Sequence, residues 1–159
     1  MKQKHTKKAF FKTTAKTPSE EFFYSVAQVY VKSEKIIVKF LSSYKITIAQ
    51  FNVLAILAKA KKDLTQIEIS KKILVSQGNI TRLLERMLKT AFIIRKEDSS
   101  DRRKKLISIS PKGRQLYNLI VPSYNLLISD IVGSLSKKEK LETTSIIKNL
   151  TRAIDEKYN

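Results

Sequence analysis

The chain has no cysteine and a single histidine, His5. Disulfides, thiolate metal sites, cysteine nucleophiles and thiol redox switches are therefore excluded. A multi-histidine metal centre cannot be assembled within one chain, and histidine-based general-base catalysis is not expected from a residue in a basic tail. Glycine and proline are scarce, three of each in 159 residues, which points to long helices and few tight turns. No apolar run approaches the ~18–20 residues of a membrane span. The opening "MKQKHTKKAFFKTTAKT" is charged and lacks the apolar core of a signal peptide. A cytoplasmic protein with no membrane partner is expected. With no phosphate-binding glycine loop and no catalytic constellation, neither an enzyme nor a bound cofactor or metal is expected.

Acidic residues are also few: 14 Asp and Glu against 32 Lys and Arg, a net charge of +18. The excess is unevenly placed. Residues 1–18 carry six lysines and no acid, and residues 59–105 carry fourteen bases against six acids. A concentrated basic field suits a polyanion, either nucleic acid or an anionic membrane surface. A surface kept soluble by lysine would give the same total. Apolar residues make up 42%, enough for a folded domain with a real core.

Residues 1–16 read as a flexible basic arm. Thr17-Pro18-Ser19-Glu20 then starts a helix, with Thr17 as cap, Pro18 in the first turn and Glu20 closing a capping box. Phe22, Val26, Val29, Ile36 and Phe40 recur at helical spacing beside a second stripe of Phe23, Tyr30, Ile37 and Tyr44. Thr47–Gln50, Thr65–Glu68 and Ser136–Glu139 form three further boxes. The box at Thr47 opens a helix with Phe51, Leu54, Ala55 and Ala58 on one face. The box at Thr65 opens a short helix to about Ile73, and Ser76 caps a fourth helix running to about Thr90. "FIIRKEDSSDRRKKLISIS" reads as a β-hairpin with a polar tip. Ser110-Pro111 begins another helix, in which Pro122 should cause a kink or a loosened turn, and a last helix ends near Tyr158. The fold class is mainly α with a small β-hairpin. It comprises a winged helix-turn-helix lobe (46–110), an N-terminal helix (17–45) and C-terminal helices (111–159) that together form a dimerisation domain. The C-terminal helices are also apolar, and the winged module offers one apolar side to receive them.

On a helical wheel Ile80, Leu83, Leu84 and Met87 share one face, with Leu88 at its margin. Gly78, Arg82, Glu85 and Lys89 fall opposite, flanked by Asn79 and Arg86 on one side and Thr81 on the other. Major-groove readout uses these types, since arginine meets guanine bidentately, asparagine meets adenine and threonine meets a base or phosphate. Gly78 would let the helix start lie close to a duplex. Taken alone, this is also the pattern of an ordinary amphipathic surface helix. Its position, after a short capped helix and before a basic hairpin, is what singles it out.

The segments "TIAQFNVLAIL" and "TQIEISKKILVSQGNITRLLERMLKTAFIIRKEDSSDRRKKLISISPKGRQL" resemble the MarR family of bacterial winged-helix transcriptional regulators. The match spans about residues 47–117 and includes the wing signature Asp-Arg-Arg, the "LISIS" strand and "PKG". The resemblance implies a homodimer on a pseudo-palindromic operator in double-stranded DNA, regulating transcription as a repressor on the nucleoid and released by a small organic ligand. It makes Ser76 to Arg86 the recognition helix, with Ser76, Gln77, Gly78, Asn79, Thr81, Arg82 and Arg86 toward DNA. It makes Arg95 to Lys105 the wing, carrying Arg95, Asp101, Arg102, Arg103, Lys104 and Lys105. Arg103 would enter the minor groove, braced by Asp101, and the lysines would meet phosphates. Two departures stand out. Ala91 replaces the glycine that usually ends the recognition helix, and cysteine-based oxidant sensing has no residue to use. A basic protein that binds DNA or RNA without sequence choice is the alternative reading of the same charges.

Overall fold

The computed structural model describes residues 17–73, 77–98, 101 and 104–158. They form α1 (Pro18–Ser42), α2 (Ile48–Lys59), β1 (Leu64–Thr65), α3 (Gln66–Ser70), α4 (Gln77–Lys89), β2 (Ile93–Glu97), β3 (Lys105–Ile109), α5 (Pro111–Ile131) and α6 (Lys137–Tyr158). The chain divides into two compact units, one ending at Tyr117 and the other beginning at Asn118.

Each expected capping box is made. At α1 the Glu20 N–H donates to Thr17 Oγ1 (3.2 Å) and the Thr17 N–H to Glu20 Oε2 (3.1 Å). Thr47 and Gln50 do the same at α2, and Ser136 and Glu139 at α6. These reciprocal bonds satisfy helix-terminal N–H groups that have no intrahelical acceptor.

The first unit is built around α2. Phe51, Val53, Leu54 and Leu57 are buried, a wider face than the Phe51, Leu54, Ala55 and Ala58 stripe expected from spacing. The reason is that α2 meets α1, α4 and β3 rather than one neighbour. Leu41, Ile69, Ile80, Leu84, Met87, Ile93 and Ile107 complete this core, each fully buried aliphatic contributing ~1.5–3 kcal/mol. Arg114 Nη1 donates to the Ala58 carbonyl (2.8 Å) at the end of α2. The Phe51 and Tyr117 rings pack with their centroids 5.9 Å apart.

The hairpin of β2 and β3 is present, with Arg95 opposite Ile107 and Glu97 opposite Lys105. A third strand was not expected. β1 is two residues long and lies antiparallel on the other side of β3, in the order β1-β3-β2. Two residues carry no alternation, so this strand exists only through its pairing of Leu64 with Ile107 and Thr65 with Leu106.

In the second unit, α5 runs through Pro122 without an interruption of the helix. The proline removes one intrahelical bond, and the helix continues beyond it. Large apolar side chains remain exposed here, including Leu119, Leu126, Leu141, Ile146 and Ile154. The same is true of Phe23, Val29, Tyr30 and Val38 on α1. No helix among the described residues is long and apolar enough to cross a membrane.

Candidate nucleic-acid interface

The helix-turn-helix is held first by its short helix. The Thr65 N–H and Oγ1–H both donate to Glu68 Oε2 (2.7 and 2.9 Å), and the Glu68 N–H donates back to Thr65 Oγ1 (3.2 Å). Lys62 Nζ lies 3.2 Å from Glu68 Oε1. The Thr65 backbone bond, then its hydroxyl, then Lys62 bring the Glu68 pKa down to about 2. The start of α3 is thus tied down by a carboxylate that stays charged. From the first turn of this helix, Gln66 Nε2 donates to Thr81 Oγ1 on α4 (2.8 Å).

The wheel describes α4 well. Ile80, Leu83, Leu84 and Met87 are buried, while Asn79, Thr81, Arg82, Arg86 and Lys89 are exposed. Of Gln77 and Gly78 only the helical backbone is described, and Ser76 lies outside the described residues. Glu85, expected on the exposed front, is half-buried. Its Oε1 accepts from Arg95 Nη2 at 2.6 Å, joining the helix to strand β2.

Between α4 and β2 the chain reverses through Ala91, whose φ is 56°. The Ala91 N–H donates to Leu88 O (2.9 Å) and the Phe92 N–H to Met87 O (2.9 Å). These two bonds are the Schellman closure, whose left-handed residue is ordinarily glycine. The helix therefore ends where a glycine would have ended it, with an alanine in a conformation costing ~1–2 kcal/mol.

The "SPKG" segment locks this turn from outside. Ser110 Oγ–H donates to Ala91 O (2.6 Å), and the same oxygen accepts the Gly113 N–H (2.9 Å), capping α5. Lys112 Nζ donates to Thr90 O (2.9 Å) at the carbonyl end of α4, and sits 5.3 Å from the Phe92 ring centroid. Charge and helix dipole agree there. A Cβ on Gly113 would lie 2.0 Å from Phe92 O, so close backbone approach, not a turn, requires glycine at this position.

In the wing, Lys104 and Lys105 are exposed and Asp101 is half-buried. The tip closes through the Asp98 N–H to Lys104 O (3.0 Å), the Lys104 N–H to Asp101 O (2.8 Å) and the Asp101 N–H to Asp98 Oδ1 (3.2 Å). Lys105 Nζ pairs with Glu97 Oε1 across the strands at 2.5 Å. Arg95 and Lys105, both expected on the DNA-facing wing, are thus each paired with a carboxylate of the protein. Arg102 and Arg103 lie outside the described residues, so the Asp101–Arg103 brace does too. Gln66, Glu85 and Lys112 were not singled out as site residues. Gln66 stood in plain view in "TQIE", but its partner is fifteen residues away. A separate cleft of about 380 Å³ lies between α1 and α2, lined by Tyr30, Glu34, Ile37, Ile48 and Asn52.

A short helix packed on an amphipathic second helix, followed by a two-stranded hairpin with a third strand completing its sheet, is a winged helix-turn-helix. Residues 46–105 match the model of the MarR family. Over that segment the chain is similar to the MarR family, and its fold is shared with solved structures of that family. AbsC of Streptomyces coelicolor, a MarR family transcriptional regulator, superposes with a TM-score of 0.82 at 15% identity, covering 91% of this chain and 100% of its own. BpsR of Bordetella bronchiseptica, whose DNA binding is regulated by 6-hydroxynicotinic acid, gives 0.74 at 22% identity, covering 82% and 98%. A mutant MarR of E. coli, in complex with operator DNA, gives 0.73 at 23% identity, covering 82% and 93%. No curated protein sequence matches significantly.

Proposed function

We propose that the chain is a sequence-specific DNA-binding transcriptional regulator acting in the cytoplasm as a homodimer on a pseudo-palindromic operator. The observation that carries this reading is α4. Its apolar face is fully buried, and Asn79, Thr81, Arg82 and Arg86 stand exposed beside a wing carrying Lys104 and Lys105. In this reading α4 enters the major groove. Arg82 reads a base edge, and the helix start at Ser76, Gln77 and Gly78 lies against the backbone. Arg103 enters the minor groove, whose narrow A·T-rich form attracts arginine. Arg102, Lys104 and Lys105 face phosphates. Exposed pairs such as Lys105–Glu97 are worth ~0–1 kcal/mol, so exchanging that carboxylate for phosphate costs little.

The exposed apolar residues of α1, α5 and α6 support residues 17–45 and 111–159 as the dimerisation elements, with 46–110 as the reading lobe and 1–16 as a basic arm. Repression is the mode this reading favours, with release by a small organic ligand. The cleft between α1 and α2 and the BpsR precedent support the ligand. The test is selection of duplexes from a random pool, followed by affinities for the selected and scrambled duplexes at one salt concentration. A ratio of at least ~10³ is expected of a regulator. Equal affinities would make the chain a non-specific architectural or RNA-binding protein.

A further inference from the structure

We infer that Gln66 is a positioning residue of the reading surface and that it makes Thr81 a hydrogen-bond donor toward DNA. The inference rests on the DNA-reading role proposed for α4. A threonine hydroxyl has one O–H to give and two lone pairs to receive with. In the structure Gln66 Nε2 donates to Thr81 Oγ1 at 2.8 Å, and this bond lies at the exposed surface. The amide fills a lone pair and presents N–H, not an acceptor, to the hydroxyl. The Thr81 proton is therefore directed away from Gln66 and left for another acceptor. Gln66 is itself held in place, because it follows Thr65 in the capping box that fastens α3.

The consequence is chemical selectivity. A Thr81 fixed as donor fits the acceptors of the major groove: guanine N7 and O6, adenine N7 and thymine O4. It also fits a phosphate oxygen. It disfavours the amino group of cytosine, which needs an acceptor. Without Gln66 the hydroxyl turns freely and accepts or donates, so it discriminates less. With a carboxylate in place of the amide, the Thr81 proton turns inward and its lone pairs face out, which inverts the preference.

The test compares duplex pools selected by the wild-type chain and by Gln66→Leu, Gln66→Glu, Thr81→Val and Thr81→Ser, all at one salt concentration. Wild type and Thr81→Ser should share an acceptor-bearing base at one operator position. Thr81→Val and Gln66→Leu should both relax that position, by about three- to tenfold in relative affinity, the range of one net hydrogen bond. Gln66→Glu should shift it toward cytosine or adenine amino groups, beyond any uniform loss from its added negative charge. If Thr81→Val relaxes no position, or does so while both Gln66 variants keep the wild-type preference there, the inference is overturned and the regulator reading stands. If the wild-type chain enriches no sequence at all, the regulator reading itself fails, and this inference with it.

Discussion

Replacing Ala91 with glycine should make the protein more stable. Ala91 has φ 56°, and so does Lys45 after α1. Both sit in the same closure. At Lys45 the N–H donates to Ser42 O (3.0 Å) and the next N–H, of Ile46, to Leu41 O (3.3 Å). Leu41 and Ile46 are buried at 0% and 4% exposure, the apolar contact that accompanies a Schellman turn. A left-handed conformation costs an L-residue ~1–2 kcal/mol. Glycine removes that cost but adds ~0.4–1 kcal/mol of freedom to the unfolded chain. The net gain should be ~0.5–1 kcal/mol at each site, since both side chains are exposed and no packing is lost. For a chain of this size that is a rise of about 1–4 °C in Tm per substitution. The assay is urea and thermal unfolding followed by circular dichroism at fixed protein concentration. Lys45→Ala is the control, because it keeps the Cβ and should give no gain. The two glycine variants should add. No gain at either site, or an equal gain from Lys45→Ala, would refute the argument from backbone conformation.

Gly113→Ala should destabilise by at least ~2–3 kcal/mol, because its Cβ would meet the Phe92 carbonyl at 2.0 Å; chemical unfolding measures this, and a near-neutral change would show that the approach relaxes. The Glu68 carboxyl, depressed to about 2 from an ordinary 4.5, contributes stability that is complete above the unfolded value and is lost as pH falls through about 2. Carbon-13 titration should show that midpoint, and Thr65→Ala should raise it. Arg103→Ala should weaken binding to a selected duplex by ~1–3 kcal/mol without changing the fold, and unchanged affinity would take the contact away from the wing. Deleting residues 2–16 removes six lysines, so binding to every duplex should weaken and become less steeply salt-dependent; an unchanged slope would exclude the arm from the interface.

What could be read ahead of the structure was local in origin. The capping boxes Thr17–Glu20, Thr47–Gln50, Thr65–Glu68 and Ser136–Glu139 each lie within four consecutive residues, and the apolar back of α4 repeats with the helical period. The winged helix-turn-helix followed from those signals and their order. What escaped was long-range. β1 is strand only because β3 lies beside it, and the Gln66–Thr81 and Arg95–Glu85 bonds join residues that only folding brings together. The "PKG" segment was visible as a signature, but its physical purpose was not. Lys112 and Gly113 act on Thr90 and Phe92, some twenty residues earlier in the chain. Ala91 falls between these cases: its position was suspect from sequence, and its φ of 56° settles which way the helix ends.

The most direct test of the account is hydroxyl-radical footprinting of the purified chain on its selected duplex. A homodimer reading two major grooves should protect two symmetry-related segments centred about 10–10.5 base pairs, one helical turn, apart. A single protected segment, or even protection along the whole duplex, would contradict it.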